Sequence, residues 1–190
     1  PAQPACLRMT DPQSLRAIGD VHGEARMLER AVAGADAIVL LGDLVDGGPD
    51  SPGVLRLALS LIASGRARLV RSNHDDKLYR ALTGRAVKVG AELARTLADL
   101  RQAPDAEALI GAFLRVFEAA PYALVRGRYV FAHGAVQPAR WRDGQPQTLD
   151  RARDHMALYG EVNGEMRPDG KPVRLYGWVD AVPGGWTAIV

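Results

Sequence analysis

The sequence predicts an α/β fold in which a parallel sheet is covered by helices. Three short apolar runs of strand length, at 15–19, 36–42 and 67–72, alternate with two segments of helical spacing, at 24–34 and 54–65. The middle run, DAIVLLG, is apolar without interruption, as strands are when both faces of their sheet are buried. A β-α-β-α-β order of this kind places the strands parallel and the helices against the sheet.

The early elements have local reasons to end where they do. The first helical segment, EARMLERAVAG, ends at Gly34, and glycine is a common helix terminator. The stretch 43–53 crowds Gly, Pro and Asp together, which predicts a turn-rich loop between the second strand and the second helix.

The middle of the chain, residues 76–120, is predicted to be helical. It carries three helical patterns, DKLYRAL, GAELARTLADL and DAEALIGAFLRVFEAA. The third pattern follows Pro104, and Asp105 is expected to cap its N-terminus. We expect these helices to form an insertion near the functional edge of the sheet, where they would shape access for a substrate.

Strands are predicted to resume in the last part of the chain. Four apolar segments there have strand length: 122–127, 128–132, 173–179 and 186–190. The first two should form a hairpin with a tight turn at Gly127. The segments 139–147 and 165–172 are rich in Gly, Pro and charged residues and are predicted to be loops.

The composition fits one compact globular domain. The chain has 190 residues, of which 47% are hydrophobic, and no apolar run reaches the ~20 residues of a membrane helix. A formal net charge of +2 suits an anionic substrate without indicating nucleic acid. The single cysteine, Cys6, excludes an internal disulfide, and a reducing cytoplasm is the expected location. We take 9–190 as one domain and 1–8 as an extension or tag.

Polar residues follow four of the predicted strands. The four blocks are Asp20-Val21-His22-Gly23, Gly42-Asp43-Leu44-Val45-Asp46, Ser72-Asn73-His74-Asp75 and Ala132-His133-Gly134. The carboxyl ends of adjacent parallel strands share one edge of a sheet, and ligands bind at that edge. The sequence therefore predicts that the four blocks converge.

The side chains of these blocks form a donor set for divalent metals. Asp20 and His22 are two residues apart, so on an extended chain both point the same way. Asp43 can bridge two ions through its two oxygens, while Asn73 offers an amide oxygen and His133 an imidazole nitrogen. Oxygen and nitrogen donors without a thiolate favour Mn, Fe or Zn. Two such ions about 3.5–4 Å apart would activate a shared water and hold phosphate oxygens.

Each block also has an ordinary structural interpretation. Asp-x-His-Gly alone is more often a strand-end turn, Gly-Asp-x-x-Asp a turn with solvated carboxylates, and Asn-His-Asp an Asx turn. The lone His133 could pack against the sheet. The four blocks together favour a site, because three of the four histidines stand at the ends of predicted strands.

In order and spacing, the blocks GDVHG, GDLVDGGP, SNHD and FAHGA resemble those of the calcineurin-like metallophosphoesterases. The likeness covers most of 15–190. The segments HDDKLYRALTGRAVKV and LYGEVNGEMRPDGKPVRLYGWV resemble the phosphatase domain of bacterial polynucleotide kinase-phosphatases, to which symmetrical diadenosine tetraphosphatases and bacterial serine/threonine phosphatases are similar. The resemblance implies a four-layer αββα sandwich with two mixed sheets and a helical insertion.

The resemblance also implies two divalent ions, manganese first, with iron, zinc or nickel as alternatives. It places Asp20, His22 and Asp43 at one metal. It places Asp43, Asn73 and His133 at the other.

The same resemblance assigns roles in catalysis. It makes His74 the general acid that protonates the leaving oxygen, and Asp46 the carboxylate that orients this histidine. A carboxylate partner favours imidazolium, the form that a proton donor needs. Arg71, just before the Ser-Asn-His block, is a candidate phosphate contact, with a surface arginine as the alternative.

Two residues depart from the family pattern. Relatives carry Arg where this chain has Gly47, so either another arginine, with Arg167 and Arg174 as candidates, binds phosphate, or substrate affinity is low. Relatives have Gly where this chain has Ser72. Its side chain would shift Asn73 if the backbone there needs a positive φ.

The third departure is a last metal histidine, which relatives supply after a final strand. This sequence ends at Val190 after the strand-like WTAIV, and truncation is the expected reason. His155, the one histidine outside the four blocks, lies in a helical segment and is not expected to be a ligand.

These observations predict a metal-dependent phosphatase in which a metal-bridging hydroxide attacks phosphorus and His74 protonates the leaving group. The substrate would be a nucleotide, a nucleic-acid end or a phosphoprotein. The alternative is a catalytically weak or inactive phosphate-binding module that keeps the fold. Gly47, Ser72 and the missing histidine favour that alternative.

Overall fold

The computed structural model describes residues 14–138, 141–146, 155–168 and 170–190. The extension expected at 1–8 lies outside these residues. The strands are β1 (Leu15–Ile18), β2 (Ala37–Leu40), β3 (Ala67–Leu69), β4 (Ala123–Arg126), β5 (Tyr129–Ala132), β6 (Trp141–Arg142), β7 (Gln145–Pro146), β8 (Glu161–Met166), β9 (Pro172–Leu175) and β10 (Thr187–Ile189). The helices are α1 (Ala25–Val32), α2 (Ser51–Ala63), α3 (Asn73–Leu82), α4 (Ala91–Gln102), α5 (Ala106–Ala119) and α6 (His155–Tyr159).

The first sheet is wholly parallel, in the order β1-β2-β3. Its central strand, β2, is buried at all four residues, as expected for a strand with both faces covered. Ile38 and Leu40 pack with the helices, whereas Val39 faces the other side. The β-α-β-α-β order predicted from the apolar runs is confirmed.

The helices α1 to α5 cover one face of this sheet with a shared apolar core. Phe113 and Phe117 of α5 lie at its centre, with their ring centroids 5.7 Å apart. The helical middle of the chain is therefore confirmed. Helix α3 begins at Asn73, ahead of the predicted start at 76, so Asn73 and His74 lie in its first turn rather than in a loop.

Asp105 stands at the N-cap position of α5, but its carboxylate makes no hydrogen bond to the helix. Instead it accepts hydrogen bonds from the guanidinium of Arg56 on α2, with Nε at 2.9 Å. The expected side-chain cap is thus wrong, because an arginine within reach competes for the same oxygens.

The second sheet is mixed, in the order β10-β5-β4. β4 and β5 form the predicted hairpin around Gly127, and β10 runs parallel to β5. Phe131 faces the first sheet and packs with Val39, Leu41 and Val70. The other face of β5 packs against the three tryptophans of the chain: Trp141, Trp178 and Trp186.

Two hairpins lie in segments that the sequence predicted as loops or only partly as strand. β6 and β7 form a short pair within 139–147, and β8 pairs antiparallel with β9 across 165–172. The predicted strand 173–179 ends at Leu175 and continues as a 3₁₀ helix, Gly177–Ala181. These hairpins are largely exposed, so their sequences lack the apolar alternation that identifies a half-buried strand.

The layers differ in part from the sandwich implied by the resemblance. The described residues form an α/β fold with one parallel and one mixed sheet, but not a clear four-layer sandwich. The helices cover the first sheet, while the far face of the second sheet is covered in the described part by the 3₁₀ helix and neighbouring short segments. Among the described helices, none has the length and apolar character needed to cross a bilayer.

Candidate metal centre

The loops after β1, β2 and β5 bring Asp20, Asp43 and His133 together. One ligand atom from each of the three residues lies within 4.8 Å of the other two. β1 and β2 are parallel neighbours, and β5 belongs to the sheet that packs against them. The cluster therefore lies at the carboxyl ends of the strands, where the sequence predicted it.

Asp43 is at the centre of the cluster, with 6% of its side chain exposed. Its Oδ2 lies 3.7 Å from Nε2 of His22 and 3.5 Å from Nε2 of His133. Its Oδ1 accepts the backbone N–H of His74 at 3.0 Å. One oxygen is thus held by the first turn of α3, and the other faces two imidazoles.

Both imidazoles are oriented by backbone carbonyls. Nδ1 of His22 lies 3.3 Å from the carbonyl oxygen of Val45, and Nδ1 of His133 lies 3.1 Å from that of Leu41. A carbonyl oxygen only accepts, so each Nδ1 carries a hydrogen. In the neutral ring this leaves the lone pair on Nε2, directed at Asp43, which is the arrangement of a metal-binding histidine.

Asn73 joins the same cluster, since its Oδ1 lies 2.8 Å from Nε2 of His133. Nε2 of His133, Oδ1 of Asn73 and Oδ2 of Asp43 converge there, and all three atoms can bind one cation. Asp20 closes the open side: its side chain is 74% exposed, and its Oδ1 lies 3.8 Å from Nε2 of His22. This set of oxygens and neutral nitrogens fits a divalent ion.

The backbone of the centre is strained at four positions. Asp20, His22, Asp43 and Asp46 have φ angles of 50°, 44°, 50° and 70°, in the left-handed region. Such angles are rare outside glycine and cost about 1–3 kcal/mol each, and they cluster at functional sites. The extended backbone expected for Asp20 and His22 is wrong. Their side chains meet through a left-handed turn instead.

His74 pairs with Asp46 beside the cluster. Nδ1 of His74 donates to Oδ2 of Asp46 at 2.8 Å. The rings of His74 and His22 meet edge to face, with their centroids 5.0 Å apart. The other carboxylate oxygen of Asp46 accepts the hydroxyl of Thr96 at 2.7 Å, and the N–H of Asp46 donates to Ser51 at 3.2 Å.

Each member of the pair favours the charged form of the other. The hydrogen bond to Asp46 raises the pKa of His74 above its ordinary value, against the effect of burial, and the charge of Asp43 adds to the rise. Burial raises the pKa of Asp46, but the hydrogen bonds from His74 and Thr96 outweigh it and leave the pKa below its usual value. The contacts of the pair therefore favour an imidazolium beside a carboxylate.

Sequence reasoning assigned no contact to Thr96, which belongs to α4 and is buried. A threonine within a helical pattern gives no signal of a polar contact. The threonine reaches Asp46 only because α4 packs on α2 behind the second loop. It ties the predicted helical insertion to the candidate acid.

Ser72 fits without a positive φ, since its φ is −129°. Its hydroxyl accepts the N–H of Asp43 at 2.7 Å and donates to Oδ2 of Asp75 at 2.9 Å. The expected shift of Asn73 therefore has no cause in the backbone. Asp75, fully buried, accepts the N–H of Leu44 at 3.0 Å. Burial raises the pKa of Asp75 to about 7, and the charge of Asp43 adds to the rise.

Arg71 contacts residues outside the metal cluster. Its guanidinium donates to the carbonyl oxygens of Ala120 and Glu118, both at 2.8 Å, and packs against the rings of Phe117 and Tyr122. These contacts hold the end of α5. Its role as a phosphate contact stays a prediction.

The position of the family arginine is occupied by a turn. Gly47 has φ +81°, and a Cβ added there would lie 3.6 Å from Cβ of His22. Among the described residues, Arg95 of α4 places a guanidinium at that turn. Its Nη2 donates a hydrogen bond to the carbonyl oxygen of Gly48 at 2.8 Å. His155 stacks on Tyr159 in α6, and the described metal cluster does not include it.

Comparison with known proteins supports the sequence resemblance. Residues 15–185 match the family of calcineurin-like phosphoesterases. The asymmetrical bis(5'-nucleosyl)-tetraphosphatase PrpE of Geobacillus thermodenitrificans is 37% identical over 138 residues, covering 70% of this chain and 54% of that protein. PrpE of Bacillus subtilis is 36% identical over 158 residues, covering 81% and 59%.

The chain is also similar to a symmetrical tetraphosphatase and to a solved structure. The symmetrical bis(5'-nucleosyl)-tetraphosphatase of Ralstonia nicotianae is 36% identical over 154 residues, covering 80% of this chain and 48% of that protein. The crystal structure of a candidate diadenosine tetraphosphatase aligns with a TM-score of 0.54 at 25% identity, covering 92% of this chain and 77% of that one. The chain thus spans about half to three fifths of these curated relatives.

Proposed function

The chain belongs to the calcineurin-like phosphoesterases, and from that premise we propose that it hydrolyses dinucleoside tetraphosphates with two divalent ions. Its similarity to proteins named bis(5'-nucleosyl)-tetraphosphatases favours a nucleotide over a nucleic-acid end or a phosphoprotein. The observation that carries the proposal is the position of Oδ2 of Asp43. It faces Nε2 of both His22 and His133, beside the His74–Asp46 pair.

The two ions would be held by the residues around that oxygen. Asp20 and His22 would bind one ion and Asn73 and His133 the other, with Asp43 between them. When bound, the ions would activate a water and neutralise phosphate charge. Manganese is the proposed metal, with iron, zinc or nickel as alternatives.

His74 is the proposed general acid. Its Nδ1 is engaged by Asp46, so the hydrogen on Nε2 remains for the leaving oxygen. The requirement for this proton is greatest when the leaving group is basic. Arg71 would reach a phosphate only by giving up its hydrogen bonds to Ala120 and Glu118.

We also propose that the fold is the four-layer sandwich implied by the resemblance. The support is the far face of the second sheet, where Val130 and Trp178 are buried by short segments. These segments would form the fourth layer, opposite the helices on the first sheet.

The direct test is product analysis of diadenosine tetraphosphate incubated with the protein and Mn²⁺, Fe²⁺, Zn²⁺ or Ni²⁺. Cleavage at the centre gives two nucleoside diphosphates, and cleavage off the centre gives a monophosphate and a triphosphate. We expect metal-dependent turnover that is lost in Asp43→Asn and His133→Ala and kept in the exposed control Arg101→Gln. Tight phosphate binding without turnover would instead support the phosphate-binding module.

A further inference from the structure

We propose that the β8–β9 hairpin binds the part of the substrate's phosphate chain that extends beyond the phosphate attacked. This inference rests on the proposed function, because it names the region of the chain that would recognise a polyphosphate at that same site. The chemical class of the ligand is a linear nucleoside polyphosphate.

The hairpin carries a cavity of about 490 Å³ lined by Arg167, Lys171, Pro172, Val173, Arg174 and Tyr176. Three of these six side chains are cations. Pro172 and Arg174 alternate along β9, so they lie on one face of the strand, and Tyr176 follows the end of the strand. Tyr176 is 70% exposed, so its ring is accessible to a ligand at this cavity.

The base of the hairpin adjoins the metal centre. Gly134, which follows His133, donates its N–H to the carbonyl of Ala157 at 2.7 Å. A Cβ added to Gly134 would lie 2.4 Å from the nitrogen of Gly160, and one added to Gly160 would lie 2.9 Å from Nη1 of Arg174. The guanidinium of Arg174 is thus separated from the loop of His133 by a single backbone segment.

The carboxylate next to Val162, which pairs with Arg174 across the hairpin, is engaged elsewhere. Glu161, at the start of β8, accepts the N–H of Trp178 at 3.1 Å and lies against Gly177. Arg174 makes no side-chain hydrogen bond or ion pair with any other described residue, and it is exposed. It is therefore able to meet an anion from solvent.

The cations are spread along the hairpin, and this spacing selects the ligand. Arg174 pairs in register with Val162 near the base, whereas Arg167 and Lys171 stand at the tip beyond Met166. At about 3.3 Å per residue, the hairpin extends about 13 Å from Val162 to Met166. A single phosphate would contact one end of this row, whereas a phosphate chain would contact both. Tyr176 offers a ring on which a nucleobase can stack.

The test compares a long and a short substrate on the same variants. Arg174→Gln should raise KM for diadenosine tetraphosphate about fivefold, the effect of one exposed ion pair, and leave KM for para-nitrophenyl phosphate unchanged. The double variant Arg167→Gln with Arg174→Gln should raise KM for diadenosine tetraphosphate about twenty-fivefold, because separated charges contribute nearly independently. Arg101→Gln, an exposed cation in the last turn of α4, is the matched control.

Equal changes for both substrates, or no change for either, would overturn the proposal. Binding of inorganic tripolyphosphate and of orthophosphate, measured by calorimetry, separates it from the proposed function. If the wild type turns over neither ester, the proposed function fails. The proposal for the hairpin is still supported if tripolyphosphate binds more weakly to the double variant than to the wild type. It is overturned if the two proteins bind tripolyphosphate equally.

Discussion

At the scale of single residues, the candidate centre is held in place by hydrogen bonds that leave its metal-facing atoms open. The backbone of His74 and the hydroxyl of Ser72 fix Asp43, and carbonyl oxygens fix the Nδ1 atoms of His22 and His133. A site organised in this way loses little freedom when an ion binds, which favours affinity.

Asp46→Asn should move the basic limb of the pH–rate profile to lower pH. The carboxylate raises the pKa of His74, so the protonated acid persists to higher pH than in a histidine without this partner and is lost as the pH rises through that pKa. The amide removes the charge, and the pKa falls back towards its ordinary value. The measurement is kcat/KM against pH for phenyl phosphate, whose leaving group is basic.

Para-nitrophenyl phosphate is the control for this experiment, since its leaving group needs little protonation. Its basic limb should shift less in Asp46→Asn. An unchanged limb for phenyl phosphate would show that His74 is not the proton donor.

Thr96→Val should lower both stability and turnover of phenyl phosphate. The valine keeps the shape of the side chain but removes the hydroxyl that donates to Asp46, and a buried acceptor without its partner costs about 1–3 kcal/mol. Thr96→Ser restores the donor and should recover kcat. Urea unfolding and steady-state kinetics measure the two effects, and a serine variant as slow as the valine variant would contradict this role.

Much of the site at this scale followed from sequence, and the reason is topological. Parallel strands place their carboxyl ends at one edge, so Asp20, Asp43 and His133 could be brought together from strand ends alone. Thr96 could not, because its contact depends on how α4 packs. The left-handed angles could not either, since aspartate and histidine adopt several backbone conformations.

At the scale of elements, the start of α3 decides how the loops meet. Because the helix begins at Asn73, its first turn delivers both an amide oxygen to His133 and a backbone N–H to Asp43. Ser72, immediately before it, connects the second loop to the buried Asp75. The junction between β3 and α3 is therefore a structural support of the centre.

Ser72→Ala should reduce the free energy of unfolding by about 1–3 kcal/mol, because the N–H of Asp43 and the carboxyl of Asp75 each lose a buried partner. Chemical denaturation measures the change. Ser60→Ala, at an exposed position of α2, is the control and should stay within about 0.5 kcal/mol of the wild type. Equal stabilities for the two variants would argue against this support.

Helices and strands that bury apolar faces could be predicted from the sequence, whereas the exposed strands could not. β2 and the helices of the middle segment bury wide apolar faces, and their spacing shows in the sequence. β6 to β9 bury little, so turn residues such as Gly144 and Gly170 led to the prediction of loops there. Their strand pairing is specified by backbone contacts that the sequence pattern does not record.

At the scale of the whole molecule, one apolar layer joins the two sheets. Phe131 of β5 lies against Val39 and Leu41 of the first sheet, and all of these side chains are buried. The candidate metal ligands come from both sheets. Their distances therefore depend on this layer, although no ligand belongs to it.

Phe131→Ala should destabilise the molecule by about 3–5 kcal/mol, as expected when a fully buried phenylalanine leaves a cavity. The tryptophans report on the second sheet and the far-ultraviolet signal reports mainly on the helices of the first. Because the shared layer couples the sheets, both signals should move to the same lower denaturant midpoint. Separate midpoints would show that the sheets unfold independently.

The contact between Gly42 and Ser72 restricts how this loop can change. Gly42 has φ +93°, and a Cβ added there would lie 2.3 Å from Cβ of Ser72, closer than two carbons can approach. While the serine is present, position 42 is closed to every other residue type. Removing the serine side chain alone would not open position 42, because a φ of +93° is strained for every L-residue, so the backbone and the neighbouring side chain both require this glycine.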